Sequence, residues 1–240
     1  MLNRELADDK IQVLQIGPAG ERLVRFAALV NMCNRANGRT GMGAVMGSKN
    51  LRAIAVRGDR RMAAVDQKAF ASLVRQGRER FQRSPGLQGL GINGTGGGLL
   101  WMNAVGTLPT RNYNEGQFEH AERIWGETMT ATILKRRDTC YGCMVRCKRV
   151  VQTDYQGQAI LPFYGGPEYE TLAALGSYCG ISDLKAVALG NQICNQYGMD
   201  TISCGATVAF AMECFENGLI TMADTDGVDL RFGNADAMLA

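Results

Sequence analysis

The chain has 240 residues, among them 30 glycines, 8 cysteines and a single histidine, His120, and it carries a net charge of +3 at pH 7. One histidine excludes a two-histidine zinc site or an HExxH protease built from this chain alone. The two signs of charge are interspersed, and the most basic run is only Lys135-Arg136-Arg137, which argues against a nucleic-acid partner. No apolar run approaches the roughly 18 residues of a membrane span. The opening Met1-Leu2-Asn3-Arg4-Glu5-Leu6 lacks the apolar core of a secretory leader. The expectation is therefore a soluble, cytoplasmic chain with no membrane partner.

Residues 11–16 read as a short strand, cut by Gly17-Pro18. A helix is predicted over 21–34, with Leu23, Val24, Ala27, Ala28 and Val30 on one broad face. A glycine-dense turn, 38–43, then leads to a second strand at 51–56. Residues 1–60 thus form a small α/β part, and 61–240 a mainly helical one; the fold class expected is α+β. A helix over 66–83 ends before Ser84-Pro85-Gly86. Residues 86–98 hold seven glycines and read as a mobile or ligand-facing loop. Further helices are predicted over 128–137, over 183–197 with Ser182 as cap and Gly198 as stop, and over 205–217. A strand over 228–232 follows, and Asn234 caps a helix that the chain ends within, as an internal fragment would.

Cysteines in such a chain need an explanation other than disulfides. Five are scattered among apolar or small neighbours and read as small buried hydrophobes. The other three form Cys140-x2-Cys143-x3-Cys147, a spacing that lets three thiolates curl round a [4Fe–4S] cluster, each facing a different iron. Zinc would more often take a second CxxC or histidines; a chance group of structural cysteines is the third reading. Arg137, Arg146, Lys148 and Arg149 would offset the charge of a thiolate-ligated cluster. Cys179, Cys194 and Cys204 are candidates for a fourth ligand, but their helical settings favour one beyond residue 240.

Three other segments carry potential chemistry. Arg39-Thr40-Gly41-Met42-Gly43, running on to Gly47-Ser48-Lys49-Asn50, combines close-approach glycines with two cations suited to phosphate, or is a plain turn. In Gly166-Pro167-Glu168-Tyr169-Glu170-Thr171, Pro167 fits a first helical position, and Glu170 serves the helix dipole or handles protons beside a cofactor. In 195–203 a loop between two helices carries a free carboxylate, Asp200, with backbone amides beside it.

Taken together, these segments and Ile16-Gly17-Pro18-Ala19-Gly20-Glu21, in this order, resemble the aldehyde ferredoxin oxidoreductase family of tungsten- or molybdenum-pterin enzymes. The resemblance implies that 1–60 is the end of the pterin-binding base domain and 61–240 a truncated helical domain. It implies a tungsten (or molybdenum) bis-pterin next to a [4Fe–4S] cluster, with ferredoxin or another iron–sulfur carrier as electron partner. The implied reaction oxidises a small aldehyde to a carboxylic acid. Carried over by position, Cys140, Cys143 and Cys147 are cluster ligands, and Arg39, Thr40, Met42 and Gly43 contact the pterin. Asn195, Met199 and Asp200 match the family's second-domain pterin loop, with Asn195 in place of its leading Asp, and Glu170 matches a glutamate near the metal. An aromatic acyl-thioester reductase relative and a non-catalytic iron–sulfur electron-transfer subunit are the alternatives; a homo-oligomer is compatible with either.

Overall fold

The computed structural model describes residues 2–60 and 63–240. After a short helix α1 (Leu2–Glu5), strand β1 (Gln12–Gln15), helix α2 (Pro18–Glu21), strands β2 (Val30–Asn31) and β3 (Arg35–Ala36), helix α3 (Met42–Ser48) and strand β4 (Ala53–Val56) follow in order. The four strands make one antiparallel sheet in the order β3-β2-β1-β4. Both predicted strands form, each a little shorter than read.

The helix predicted over 21–34 does not form. After the single turn of α2 the chain passes through turns at 22–23 and 25–26 and a bridge at Ala27 into the β2–β3 hairpin, with Leu23, Met32 and Cys33 at positive φ. Ala28 N–H donates to Gly198 O at 2.8 Å, and Ala27 bridges Met199. Ala27, Ala28 and Val30 are buried, but by backbone pairing with a distant loop rather than along a helix face. Tertiary pairing overrides local periodicity here. The glycine-dense turn passes directly into α3, which lies against α2 at backbone contact: a Cβ on Gly47 would fall 1.9 Å from Gly20 O.

The helical part starts with α4 (Gln67–Gln82), capped by Asp66, whose carboxylate accepts from Lys68 N and Ala69 N at 2.9 Å. Residues 86–98 are not a loop. Pro85 opens α5 (Pro85–Asn93), a 3-10 turn follows at Thr95–Gly98, and α6 (Leu99–Ala104) completes the run. Pro85 sits where its missing N–H is no loss, so the Ser84-Pro85 pair that reads as a stop is also a start. Four of the seven glycines, Gly91, Gly94, Gly96 and Gly97, serve close packing: a Cβ on Gly96 would meet Leu172 at 2.7 Å.

The predicted helix 128–137 splits into α7 (Gly126–Thr132) and strand β5 (Leu134–Asp138), which pairs with β6 (Lys148–Val151). Strands β7 (Thr153–Tyr155) and β8 (Gln158–Ile160) form a second hairpin. Then come α8 (Tyr169–Leu175), α9 (Leu184–Tyr197), α10 (Thr201–Glu216) and α11 (Ala235–Leu239). Asp183, not Ser182, caps α9, and Gly198 ends it in the left-handed conformation. Asp200 caps α10, which therefore opens at Thr201 rather than 205. Residues 228–232 form no strand, although Leu230 and Phe232 pack on the core. Asn234 caps α11 as expected.

The core is where α8, α9 and α10 cross. Residues Thr171 to Leu175 of α8 are buried without interruption, and each fully buried Leu contributes about 1.5–3 kcal/mol. Cys179 and Cys194 are buried there, and Cys204 packs on them half-buried. The Cys179 thiol is spent on carbonyls, Ala174 O at 3.4 Å and Gly205 O at 3.5 Å. Among the described residues no single helix is long and apolar enough to cross a membrane.

Candidate cofactor site

Two of the segments singled out in the sequence, 166–171 and 195–203, meet at one cleft of about 360 Å³. Glu170, in the first turn of α8, shares it with Asn195 from the last turn of α9 and Met199 from the α9–α10 loop. Arg35 of β3 and Lys148 of β6 face the same space. Glu170 is exposed and makes no hydrogen bond or ion pair among the described residues, so its carboxylate is available to a ligand. Asn195 is fixed by its Nδ2, which donates to Tyr164 O at 3.1 Å. Also lining the cleft is Asn34, whose Oδ1 is buried with no donor, an acceptor that a ligand N–H or O–H would satisfy.

Pro167 differs from its reading. Pro167 lies outside α8, and Glu168 occupies its cap position without capping it. Thr95 does that work from the glycine-rich segment: its Oγ1 accepts from Tyr169 N at 2.8 Å and donates to Glu168 Oε2 at 2.5 Å. The glycine-rich run thus buttresses the cleft wall through Thr95.

Next to the cleft, the loop 39–43 is joined to the α9–α10 loop. Arg39 Nε donates to Asp200 Oδ2 at 2.9 Å, and Arg39 Nη2 to Ser203 Oγ at 3.3 Å. The Asp200 carboxylate is not free, as the sequence suggested. It also accepts from Ile202 N and Ser203 N, and its side chain is only 8% exposed. Burial pushes its pKa up, but the bonds from Ser203 and Arg39 outweigh this and hold it below the ordinary carboxylate range. Asp200 therefore orients Arg39, whose own side chain is half-exposed and can reach an anion. Thr40 and Met42 are exposed beside it. Gly43 is buried, and its N–H is spent on Ala27 O at 2.9 Å, so its backbone donor is not open to a ligand.

The cysteine loop joins β5 to β6. Cys140 and Cys143 are exposed and Cys147 half-buried, all three as free thiols. Cys143 N–H donates to Cys140 O at 3.1 Å, Thr139 Oγ1 to Cys143 O at 2.6 Å, and Gly142 and Arg146 take positive φ to turn the chain. Burial raises the Cys147 pKa, and Glu168, Cys140 and Cys143 add to it electrostatically; the three sulfurs are thus within one another's field. Yet among the described residues no three His, Cys, Asp or Glu side chains converge to hold one ion. Three free thiols at the spacing Cys140-x2-Cys143-x3-Cys147 are a donor set for a multi-iron cluster, which takes one thiolate per iron, whereas zinc would more often take a second CxxC or histidines.

Comparison with known proteins gives this arrangement its context. Residues 72–240 match the family model described as aldehyde ferredoxin oxidoreductase, domains 2 and 3. Residues 1–58 match that of the aldehyde ferredoxin oxidoreductase N-terminal domain. The chain belongs to the aldehyde ferredoxin oxidoreductase family. It is 42% identical over 243 residues to a tungsten-containing aldehyde ferredoxin oxidoreductase of Pyrococcus horikoshii, covering 99% of this chain and 39% of that protein. The corresponding protein of Pyrococcus abyssi is 43% identical, with the same coverage. An aliphatic sulfonate oxidoreductase, WOR-like subunit, of Pyrococcus furiosus is 30% identical over 94% of this chain and 36% of its own length. Among solved structures, the active site complex BamBC of benzoyl coenzyme A reductase with 1,5-dienoyl-CoA shares the fold. The TM-score is 0.72 at 22% identity, over 99% of this chain and 37% of that one. The chain spans about 39% of the length of the tungsten-containing relatives it matches.

Sequence reasoning missed Arg35, Asn34, Asn191 and Thr171 as cleft residues. Asn34 lay at the end of a helix that does not form and Arg35 just past it, and no spacing rule marks them. Asn191 sits on a helix that was read, and Thr171 on one whose start was misplaced at Pro167; only the crossing of α8 and α9 turns them to one side.

Proposed function

We propose that this chain is part of a tungsten- (or molybdenum-) pterin, iron–sulfur oxidoreductase that oxidises small aldehydes to carboxylic acids. Electrons leave through a [4Fe–4S] cluster to ferredoxin or another iron–sulfur carrier in the cytoplasm. The observation that carries this reading is the cleft itself: Glu170 and Lys148 open into it, with the cysteine loop on one side and the Arg39–Asp200 pair on the other.

When bound, the metal–pterin group supplies two-electron oxidation and the cluster passes the electrons on singly. The chain's own groups do the rest. Arg39, held by Asp200, pairs with an anionic group of the pterin, and Thr40, Met42, Gly43, Asn195 and Met199 border it. Cys140, Cys143 and Cys147 hold the cluster. Glu170 takes or gives a proton at the substrate oxygen, and Lys148 offers positive charge to the carboxylate product. Besides its place in the first turn of α8, the Glu170 carboxylate stands exposed and unpaired at the cleft, where it can handle protons, which favours an enzyme over a bare electron-transfer subunit.

An acyl-thioester reductase is the second reading, favoured by the likeness in fold to the benzoyl coenzyme A reductase complex. The identity to aldehyde enzymes, about twice as high, ranks it second.

The test is metal analysis of the anaerobically purified full-length protein with an aldehyde-dependent dye-reduction assay. About four irons and four sulfides per chain, lost in Cys143→Ala, together with tungsten or molybdenum, support the reading. Glu170→Gln should keep the metals and lose about 10²- to 10⁴-fold in kcat. Zinc without iron, or thioester but not aldehyde turnover, would overturn it.

A further inference from the structure

Arg149 of β6 is the one arginine of the cysteine region that is fully buried, at 1% exposed. It forms no salt bridge among the described residues. Its guanidinium donates only to backbone carbonyls: Nε to Cys147 O at 3.0 Å, Nη1 to Ile92 O at 2.5 Å, and Nη2 to Gly91 O at 2.8 Å and Arg146 O at 3.1 Å. Directly across the hairpin lies Arg137, whose Nη2 donates to Val145 O at 3.1 Å and Nε to Arg146 O at 3.5 Å.

Two cations opposed across a strand pair repel each other, and a buried charge without a counter-ion is costly. Carbonyls satisfy the N–H groups but do not neutralise the charge. The carboxylate in the field of Arg149 is Glu168, and it is turned to Thr95. Space for the guanidinium is kept by Gly91 and Gly94: a Cβ on Gly94 would fall 3.0 Å from Arg149 Nε, and one on Gly91 2.6 Å from Arg137 Nη2. The other cations noted in the sequence do different things. Arg146 is exposed, and Lys148 faces the cleft.

We propose that Arg149, backed by Arg137, is the fixed countercharge of the cysteine loop: a positioning residue that holds the Cys147 backbone and raises the reduction potential of a cluster carried by Cys140, Cys143 and Cys147. The proposal rests on the cluster reading above. One-electron reduction adds one negative charge to such a cluster and makes or breaks no bond, so a buried cation beside it favours the reduced state.

The experiment is a mediated redox titration of the full-length protein, followed by electron paramagnetic resonance of the reduced cluster, with iron and sulfide measured in parallel. In Arg149→Met the reduced-to-oxidised ratio at fixed potential should fall about tenfold, a shift of about 59 mV to lower potential. Arg149→Lys, which keeps the charge and loses the fork, should stay within about threefold of the parent. A purely structural role would lower iron content and leave the potential of the remaining clusters unmoved. Should Arg149→Met fail to fold, Arg137→Gln, at a half-buried site, should shift the potential in the same direction by a smaller amount. Iron-replete variants that titrate like the parent would overturn this proposal alone. A parent protein without iron and sulfide would overturn the cluster reading and this proposal together.

Discussion

Arg35 Nη2 and Asp138 Oδ2 lie 2.5 Å apart, tying the edge strand of the amino-terminal sheet to the last residue before the cysteine loop. The two residues are 103 positions apart in sequence. The bond sets the loop against the cleft wall, so that the thiols and the cleft belong to one frame.

Removing this tie should cost about 1 kcal/mol at neutral pH, the upper end for a partly exposed pair. The pH dependence has a definite sign. Burial tends to raise the Asp138 pKa, but the Thr139 amide and the Arg35 charge prevail and lower it from 3.8. The contribution is therefore fully present above the unfolded value near 3.8 and lost as pH falls through the lower folded value. Urea unfolding of parent and Arg35→Ala should differ at pH 7 and converge towards pH 3. A difference that stays constant across that range would contradict the role given to Asp138.

Asp200 does two jobs, capping α10 and aiming Arg39. Asp200→Ala should cost about 2 kcal/mol, mostly the cap, while Arg39→Ala, at a half-exposed side chain, should cost well under about 1 kcal/mol. A double-mutant cycle should return a coupling of roughly 0.5–1 kcal/mol. Zero coupling by thermal denaturation would mean that Arg39 is free of Asp200 in solution.

Two glycines in helices should respond to alanine with opposite signs. Gly205 of α10 packs on α8 so closely that a Cβ would lie 2.3 Å from Ala174 O, whereas a Cβ on Gly77 of α4 meets nothing within 4 Å. Gly77→Ala should gain up to about 1 kcal/mol from helix propensity. Gly205→Ala should lose about 1–3 kcal/mol through overpacking. Equal effects on the melting temperature would show that the α8–α10 contact yields more than its geometry implies.

Where local chemistry decided the structure, the sequence was readable. Asn234 accepts from Ala237 N at the start of α11, an interaction confined to four residues, and Gly198 likewise stops α9 in the left-handed conformation. Asp183, however, replaces Ser182 as the cap of α9, and Asp200 opens α10 ahead of the start read at 205. Residues 21–34 and 86–98 were misread for opposite reasons. The first has helix-like periodicity, but its backbone pairs with residues 198–200. The second has glycine enough for a loop, yet those glycines let α5 and its following turn press against Cys147, Arg149 and Leu172. Of the site, the thiols, Arg39, Glu170 and Asn195 could be named from motifs. That Asp200 serves Arg39, and that Arg35 and Asn34 join the cleft, follows only from contacts between residues far apart in the chain.

Helix α4 has no buried residue along its 16 positions, and Phe70 and Leu73 stand more than half exposed. Its cohesion comes from the Asp66 cap and intrahelical bonds, a marginal basis for a helix of this length. Four arginines, Arg75, Arg78, Arg80 and Arg83, lie along it or at its end. In solution α4 should open far more often than the buried α8 or α9, and each opening offers trypsin five cleavable bonds, after Lys68 and the four arginines. Brief digestion of the folded protein should therefore nick the chain first between residues 68 and 84. The sheet of β1–β4 would then be severed covalently from the cysteine loop while Arg35 and Asp138 still hold the two pieces side by side.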